Sequence, residues 1–190
     1  DERDAGRVAT GAGVTHLTVA IPYYRGRHHL AGAIASVLAQ TDASWDLLVV
    51  DDGEANEAAQ VVGEVGLAAD PRVRCIANER NLGMAASWSR CLDEARGPLV
   101  TLLHADDALL PGYVACMRAL AERHPEATAG FCDARVVGES GEPVFSLADR
   151  VKPFFLPRAG REARVARAAG GAGDFAVAGD AGLAALMRGN

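Results

Sequence analysis

Five side chains that could hold a cation or carry a proton stand directly after apolar runs. Leu47–Val50 runs into Asp51-Asp52-Gly53, and Leu99–Leu103 runs into His104-Ala105-Asp106-Asp107. A third run, Leu17–Ile21, ends in Pro22-Tyr23-Tyr24-Arg25. Short runs rich in β-branched residues, separated by helical stretches, read as buried parallel strands. Ligands of an open parallel sheet bind in the crevice beyond the carboxyl ends of its strands. The expectation is that four carboxylates and one imidazole converge on one cleft. Carboxylates ~4 Å apart repel by about 4 kcal/mol at an effective dielectric of ~20. Such a cluster calls for protonation or a cation, and a hard divalent ion suits oxygen ligands.

The elements that must position these groups alternate along the chain. After the first strand, His29–Gln40 reads as a helix with Leu30, Ile34, Val37 and Leu38 on one face. Asp46–Val50 is the second strand. Asn56–Val65 reads as an amphipathic helix with Ala59, Val62 and Val65 inward and Glu57 near its start. Asp70-Pro71 signals a turn and Val73–Ala77 a third strand. Asn81-Leu82-Gly83 opens a helix that runs to about Ala95, closed by Arg96-Gly97-Pro98. Leu99–Leu103 is the fourth strand. Pro111 fits the first turn of a helix reaching Arg123. Ala129–Val137 reads as a fifth strand, and Gly138-Glu139-Ser140-Gly141 as a hairpin turn into Pro143–Phe145. Repeated β-α-β means an α/β fold with a mostly parallel, Rossmann-like sheet flanked by helices. The small hairpin follows near its C-terminal part.

Composition narrows the partners. The chain has 190 residues, 49% of them hydrophobic, enough to bury about 70% of its unfolded surface in one domain. Lys and Arg number 19 against 25 Asp and Glu, a net charge of −6, which argues against nucleic-acid binding. No apolar stretch reaches the ~18 residues of a transmembrane segment and no secretory signal is visible. Cys75, Cys91, Cys116 and Cys132 form no Cys-x-x-Cys pair, as expected of reduced thiols in a cytoplasmic protein. Residues 1–15 read as a flexible tail, 16–145 as the folded domain, and 146–190 as a basic, Gly/Ala-rich segment carrying Arg150, Lys152, Arg158, Arg161, Arg164 and Arg167. That segment fits either a solvated surface stretch or a loop that reaches an anionic ligand.

Ile21-Pro22-Tyr23-Tyr24, Ser36-Val37-Leu38-Ala39-Gln40-Thr41, Val49-Val50-Asp51-Asp52-Gly53, Asn81-Leu82-Gly83-Met84-Ala85-Ala86 and Leu103-His104-Ala105-Asp106-Asp107, with Leu110-Pro111 just after, follow in order. Together these motifs resemble the family 2 glycosyltransferases of the GT-A fold, across roughly residues 16 to 145. The resemblance implies transfer of a sugar from a nucleoside diphosphate to a hydroxyl acceptor, metal-assisted and inverting, with a UDP- or dTDP-sugar as donor. A cation, Mn²⁺ or Mg²⁺, would bridge carboxylate to diphosphate and stabilise the leaving group.

Residue by residue, the resemblance makes Asp106 the metal ligand, with Asp107 beside it. His104 stands where the family carries an acid. It could bind the metal, with imidazole favouring Mn²⁺, contact ribose or phosphate, or donate to backbone. A cap for the next helix accounts for one of Asp106 and Asp107 but not both. Asp51 matches the position that accepts a base N–H, while Asp52 equally suits a turn or cap. Pro22 and Tyr24 match the segment along the base, though Tyr23 and Tyr24 also fit strand-end packing. Asn81 and Gly83 match the loop near ribose and diphosphate, though both also fit helix capping. Arg90 could reach a phosphate but is equally an ordinary exposed helical arginine. The general base is expected beyond Asn190, in an acceptor half that these residues lack, so donor binding with little transfer is expected of them. The alternative is a non-catalytic nucleotide-binding or regulatory module. A dinucleotide fold is disfavoured because Gly11-Ala12-Gly13 precedes the first strand instead of following it.

Overall fold

The computed structural model describes residues 16–53, 56–132, 134–138, 142 and 144. The expected tail, 1–15, and basic segment, 146–190, lie outside them. The chain divides into two compact units, Asp1–Glu122 and Arg123–Asn190.

In the first unit, β1 (Leu17–Tyr23), β2 (Trp45–Asp51), β3 (Val73–Ala77) and β4 (Leu99–Leu102) alternate with α1 (Arg27–Leu38), α2 (Glu57–Glu64), α3 (Met84–Asp93) and α4 (Tyr113–Arg123). The four strands form one sheet in the order β3-β2-β1-β4. Every pairing is parallel, and Tyr23 lies opposite Asp51 while Ala20 lies opposite Leu102. The chain moves outward from β1 through β2 to β3, then returns to the far side of β1. That reversal makes β1/β4 the switch point, where such sheets open a crevice at their carboxyl ends.

Alternation along the strands sends side chains to two separate cores. Leu17, Val19, Ile21 and Tyr23 of β1, with Leu47 and Val49 of β2, pack with Leu30 and Ile34 of α1, Val61 of α2 and Val114 of α4. Ala20, Leu48 and Val50 face the other way and pack with Cys91 of α3. Both central strands are therefore covered on both faces, which is why they read as unbroken apolar runs. Burial pushes the thiols of Cys75 and Cys91 up to about 11, so both stay protonated at neutral pH.

The amino ends of β1, β2 and the approach to β4 are tied together. Thr18 Oγ1 donates to Asp46 Oδ1 at 2.8 Å and accepts from the Arg96 and Gly97 N–H groups at 3.2 and 2.9 Å. A Cβ at Gly97 would sit 2.6 Å from the His16 carbonyl oxygen, so only glycine lets the chain pass there.

Three expectations need correction. Leu38 is 40% exposed, and Ala33 takes its place on the inner face of α1. In α2 Val62 is buried and Val65 packs half-buried against the core, as expected, but Ala59 is exposed and Ala58 and Val61 are buried in its place. The fifth strand does not form: among the described residues of 129–137 only Val137 makes a bridge. Val136 and Val137 have strand propensity but are 53% and 54% exposed, and propensity without a buried face makes no ladder. Across the expected turn the Gly138 N–H donates to Glu142 O at 2.8 Å and the Val144 N–H to Val136 O at 3.0 Å, while Glu139, Ser140, Gly141, Pro143 and Phe145 of that reading lie outside the described residues. Among the described residues no helix is long and apolar enough to cross a membrane.

Candidate functional site

β1, β2 and β4 all deliver their carboxyl ends to the same edge of the sheet. Two contacts hold that edge together: the Asp52 N–H donates to Tyr23 O at 2.7 Å, and the Leu103 N–H donates to Ala20 O at 2.9 Å. Gly53 passes so close to the end of β1 that a Cβ there would lie 2.8 Å from Tyr24 O. The glycine of Asp-Asp-Gly is thus a close-approach residue.

The two acids of that motif point to opposite faces, as adjacent strand residues must. Asp51 is 1% exposed; its Oδ1 accepts from the Gly53 N–H and its Oδ2 from the Ala58 N–H, both at 2.9 Å. It closes the start of α2. Asp52 is 4% exposed; its Oδ1 accepts from the Leu82 N–H at 2.7 Å and from Asn78 Nδ2 at 2.6 Å, and its Oδ2 from the Gly83 N–H at 2.9 Å. Burial pushes its carboxyl up, but the hydrogen bonds from Leu82, Asn78, Gly83 and Ser87 outweigh that and hold it below the usual carboxylate range. Asp52 therefore ties down the Asn81–Gly83 loop that leads into α3 and leaves the first-turn N–H groups of that helix, from Met84 on, uncapped by a side chain.

Asn81 Oδ1 also accepts from the Gly83 N–H, at 2.9 Å, so the Asn81–Gly83 loop is braced from two sides. Gly83 sits at φ 83°, which favours glycine. Arg90 donates to Ala77 O at 3.1 Å and to the Asn78 side chain, so it braces Asn78. Asn78 had no sequence signal of its own, since its partners lie at the end of β2 and in α3.

At the end of β1 the two tyrosines divide. Tyr23 is 1% exposed and donates its hydroxyl to Glu57; burial, that hydrogen bond and the charges of Glu57 and Asp51 hold the phenol well above its ordinary value. Tyr24 is 44% exposed, with the Arg25 guanidinium 4.6 Å from its ring centroid. Pro22 is half-buried within β1.

His104, Asp106 and Asp107 follow β4 on an exposed turn closed by the Asp107 N–H on His104 O at 3.1 Å. The His104 ring meets Trp88 of α3 edge to face, centroids 5.3 Å apart at 84°. The acids do not cap α4, which begins only at Tyr113. The four carboxylates and the imidazole do not gather into one ligand set. Asp51 and Asp52 are committed to backbone N–H groups, and among the described residues no three His, Cys, Asp or Glu side chains form a metal-holding group. Two exposed carboxylates still fit a hard cation whose remaining ligands are water and substrate phosphate, the usual arrangement for Mg²⁺. A separate surface hollow between α1 and α2, lined by Arg27, His28, Ala31, Val61, Glu64 and Val65, holds none of the expected site residues.

The mostly parallel sheet flanked by helices is of the GT-A-like fold class, as likeness to solved structures shows. The structure resembles that of S. aureus TarS 1-349 in complex with UDP-GlcNAc, with a TM-score of 0.53 at 16% identity over 75% of this chain and 44% of that one. The sequence profile of glycosyl transferase family 2 matches residues 18–177, and the chain belongs to that family. It is 30% identical over 118 residues to "Uncharacterized protein MT1568" of Mycobacterium tuberculosis (strain CDC 1551 / Oshkosh), covering 62% of this chain and 35% of that protein. It is 33% identical over 91 residues to the Escherichia coli "UDP-Glc:alpha-D-GlcNAc-diphosphoundecaprenol beta-1,3-glucosyltransferase WfgD", covering 48% of this chain and 35% of that protein. The chain thus spans about a third of the length of these relatives.

Proposed function

We propose that this chain binds a nucleoside-diphosphate sugar, UDP- or dTDP-linked, and serves transfer of the sugar to a hydroxyl acceptor with inversion. One observation carries the reading: the ends of β1, β2 and β4 meet at the switch point of a family 2 fold, with Tyr24 and the Asp106 turn exposed there. The donor recorded in the name of WfgD and the ligand bound to TarS are both uridine diphosphate sugars, which favours the same donor class here.

In this reading the base lies along Pro22 and Tyr24, with the ring of Tyr24 steadied by Arg25. Asp51 is kept as the acceptor of the base N–H; a carboxylate has about four acceptor sites, of which the Gly53 and Ala58 N–H groups take two among the described residues. Asn81 and Gly83 border the ribose and diphosphate, in a loop held by Asp52. Asp106, assisted by Asp107 and His104, would hold Mn²⁺ or Mg²⁺. When bound, the cation offsets the charge that develops on the leaving diphosphate.

The test is release of free sugar and UDP from UDP-sugars by the full chain, together with thermal unfolding in UDP with and without Mn²⁺. Asp106→Asn is expected to remove the Mn²⁺-dependent part of the UDP stabilisation and leave the metal-independent part. Unchanged Mn²⁺ dependence in that variant removes Asp106 from the metal site. No stabilisation by UDP or dTDP, with or without Mn²⁺, overturns the donor-binding reading.

A further inference from the structure

Residues 104–108 hang between two fixed points. On one side Leu103 is 4% exposed and bonded to β1 through Ala20 O. On the other, three successive residues are bonded to the end of α1 and the residues after it. The Leu109 N–H donates to Ser36 Oγ at 3.0 Å, Gln40 Nε2 donates to Leu110 O at 2.9 Å, and the Thr41 N–H donates to Pro111 O at 2.9 Å. Gln40 also donates to Ser36 O and accepts from the Val114 N–H, each at 3.0 Å. Ser36 in turn donates to Ala33 O at 2.7 Å. One side chain thus ties the end of α1, the approach to α4 and the first turn of α4 together. Ala105, Leu109, Tyr113 and Met117 pack against the core on the same side.

We infer that Gln40 and Ser36 are positioning residues for the acidic turn, setting where Asp106 and Asp107 present their carboxylates to a cation and a diphosphate. This rests on the donor-binding reading above. The turn has one hydrogen bond of its own, Asp107 N–H to His104 O; Ala105 on the core and His104 on Trp88 hold its first half, so the placement of Asp106 and Asp107 depends on the Leu109 end. The Leu103 end belongs to the sheet and cannot shift without breaking it. The Leu109 end is held by polar side chains in half-exposed surroundings, and loosening it lets the turn move while both cores stay packed. A shift of ~1 Å in a liganding carboxylate is enough to weaken metal binding and orientation.

The experiment uses the full chain, with UDP and Mn²⁺ as probes. Gln40→Met keeps the side-chain volume and removes the hydrogen bonds; Ser36→Ala removes the acceptor for Leu109, and Ser36→Thr restores a hydroxyl. In the unaltered chain, UDP stabilisation is read across a Mn²⁺ titration. Gln40→Met and Ser36→Ala are expected to raise the Mn²⁺ concentration for half-maximal stabilisation by about tenfold, with metal-free UDP binding unchanged. Ser36→Thr is expected to return it towards the original value. An unaltered Mn²⁺ midpoint in both Gln40→Met and Ser36→Ala, whatever their melting temperatures, overturns the inference. So does an equal loss of metal-free UDP binding, which would mean general loosening. Absence of any Mn²⁺ dependence in the unaltered chain instead removes the metal reading itself, before any variant is compared.

Discussion

Asp52 is 4% exposed and accepts from two backbone N–H groups and the Asn78 amide. Hydrogen bonds to a charged acceptor contribute about 1.5–3 kcal/mol each when measured by removal. Its folded pKa lies below the ordinary value, so its contribution to stability is fully present above the unfolded carboxylate pKa of about 3.9 and drains as pH falls through the lower folded value. Asp52→Asn is expected to cost about 2 kcal/mol at neutral pH, because an amide presents one carbonyl oxygen where two carboxylate oxygens accept. It is also expected to flatten the loss of stability below about pH 4. Denaturant unfolding from pH 3 to 7 checks both, and a parallel offset at every pH would show that another acid sets the acid limb. The chemistry of this residue was half legible. Asp-Asp-Gly after an apolar run announced a polar strand end, but which acid faces which helix follows from strand parity. The partners of Asp52, at 78, 82 and 83, meet it only through the β2–β3 pairing.

Strands were more legible than helix starts. The buried strands β1 and β2 shift by a residue or two, and the half-buried edge strands β3 and β4 keep the ends read from sequence to within one residue, because turn residues such as Asp70-Pro71 and Gly97-Pro98 precede them. Helix starts moved more. Gly26, at φ 99°, launches α1 from Arg27, two residues ahead of the reading, since Arg27 and His28 are polar and the turn signal lies in one glycine's backbone. The Ser36–Thr41 motif marked the family but not its own role, because the partners of Gln40 and Thr41 lie 70 residues downstream. Helix α1 is the element that shares a core with β1, α2 and α4. Leu30 in that helix is fully buried, and Leu30→Ala is expected to cost about 2–5 kcal/mol. Urea unfolding measures it; a cost under about 1 kcal/mol would mean that α1 is not anchored through this face.

At the scale of the first unit, the sheet carries a core on each face, and the donor-binding reading puts its chemistry at the carboxyl edge. Donor binding that spans the ends of β1, β2 and β4 should stabilise the first unit as a whole. UDP with Mn²⁺ at ~100 times its dissociation constant is expected to add about 2.7 kcal/mol. For a chain of this length that corresponds to about 2–4 °C in Tm per kcal/mol. Calorimetry with and without both ligands gives the value, and a shift produced equally by Mn²⁺ alone would assign it to the ion.

The strand order has a consequence in time. β1, β2 and β3 join neighbours in sequence, whereas β4 must travel back to pair Leu17 with Leu99. Contacts that close long loops form late and slowly. A nascent chain that has emerged only as far as Gly97 carries β1 with one bare border, a template open to foreign strands. It also lacks one wall of the crevice. Docking of β4 therefore covers that border of β1 and, in the donor-binding reading, completes the crevice in the same event.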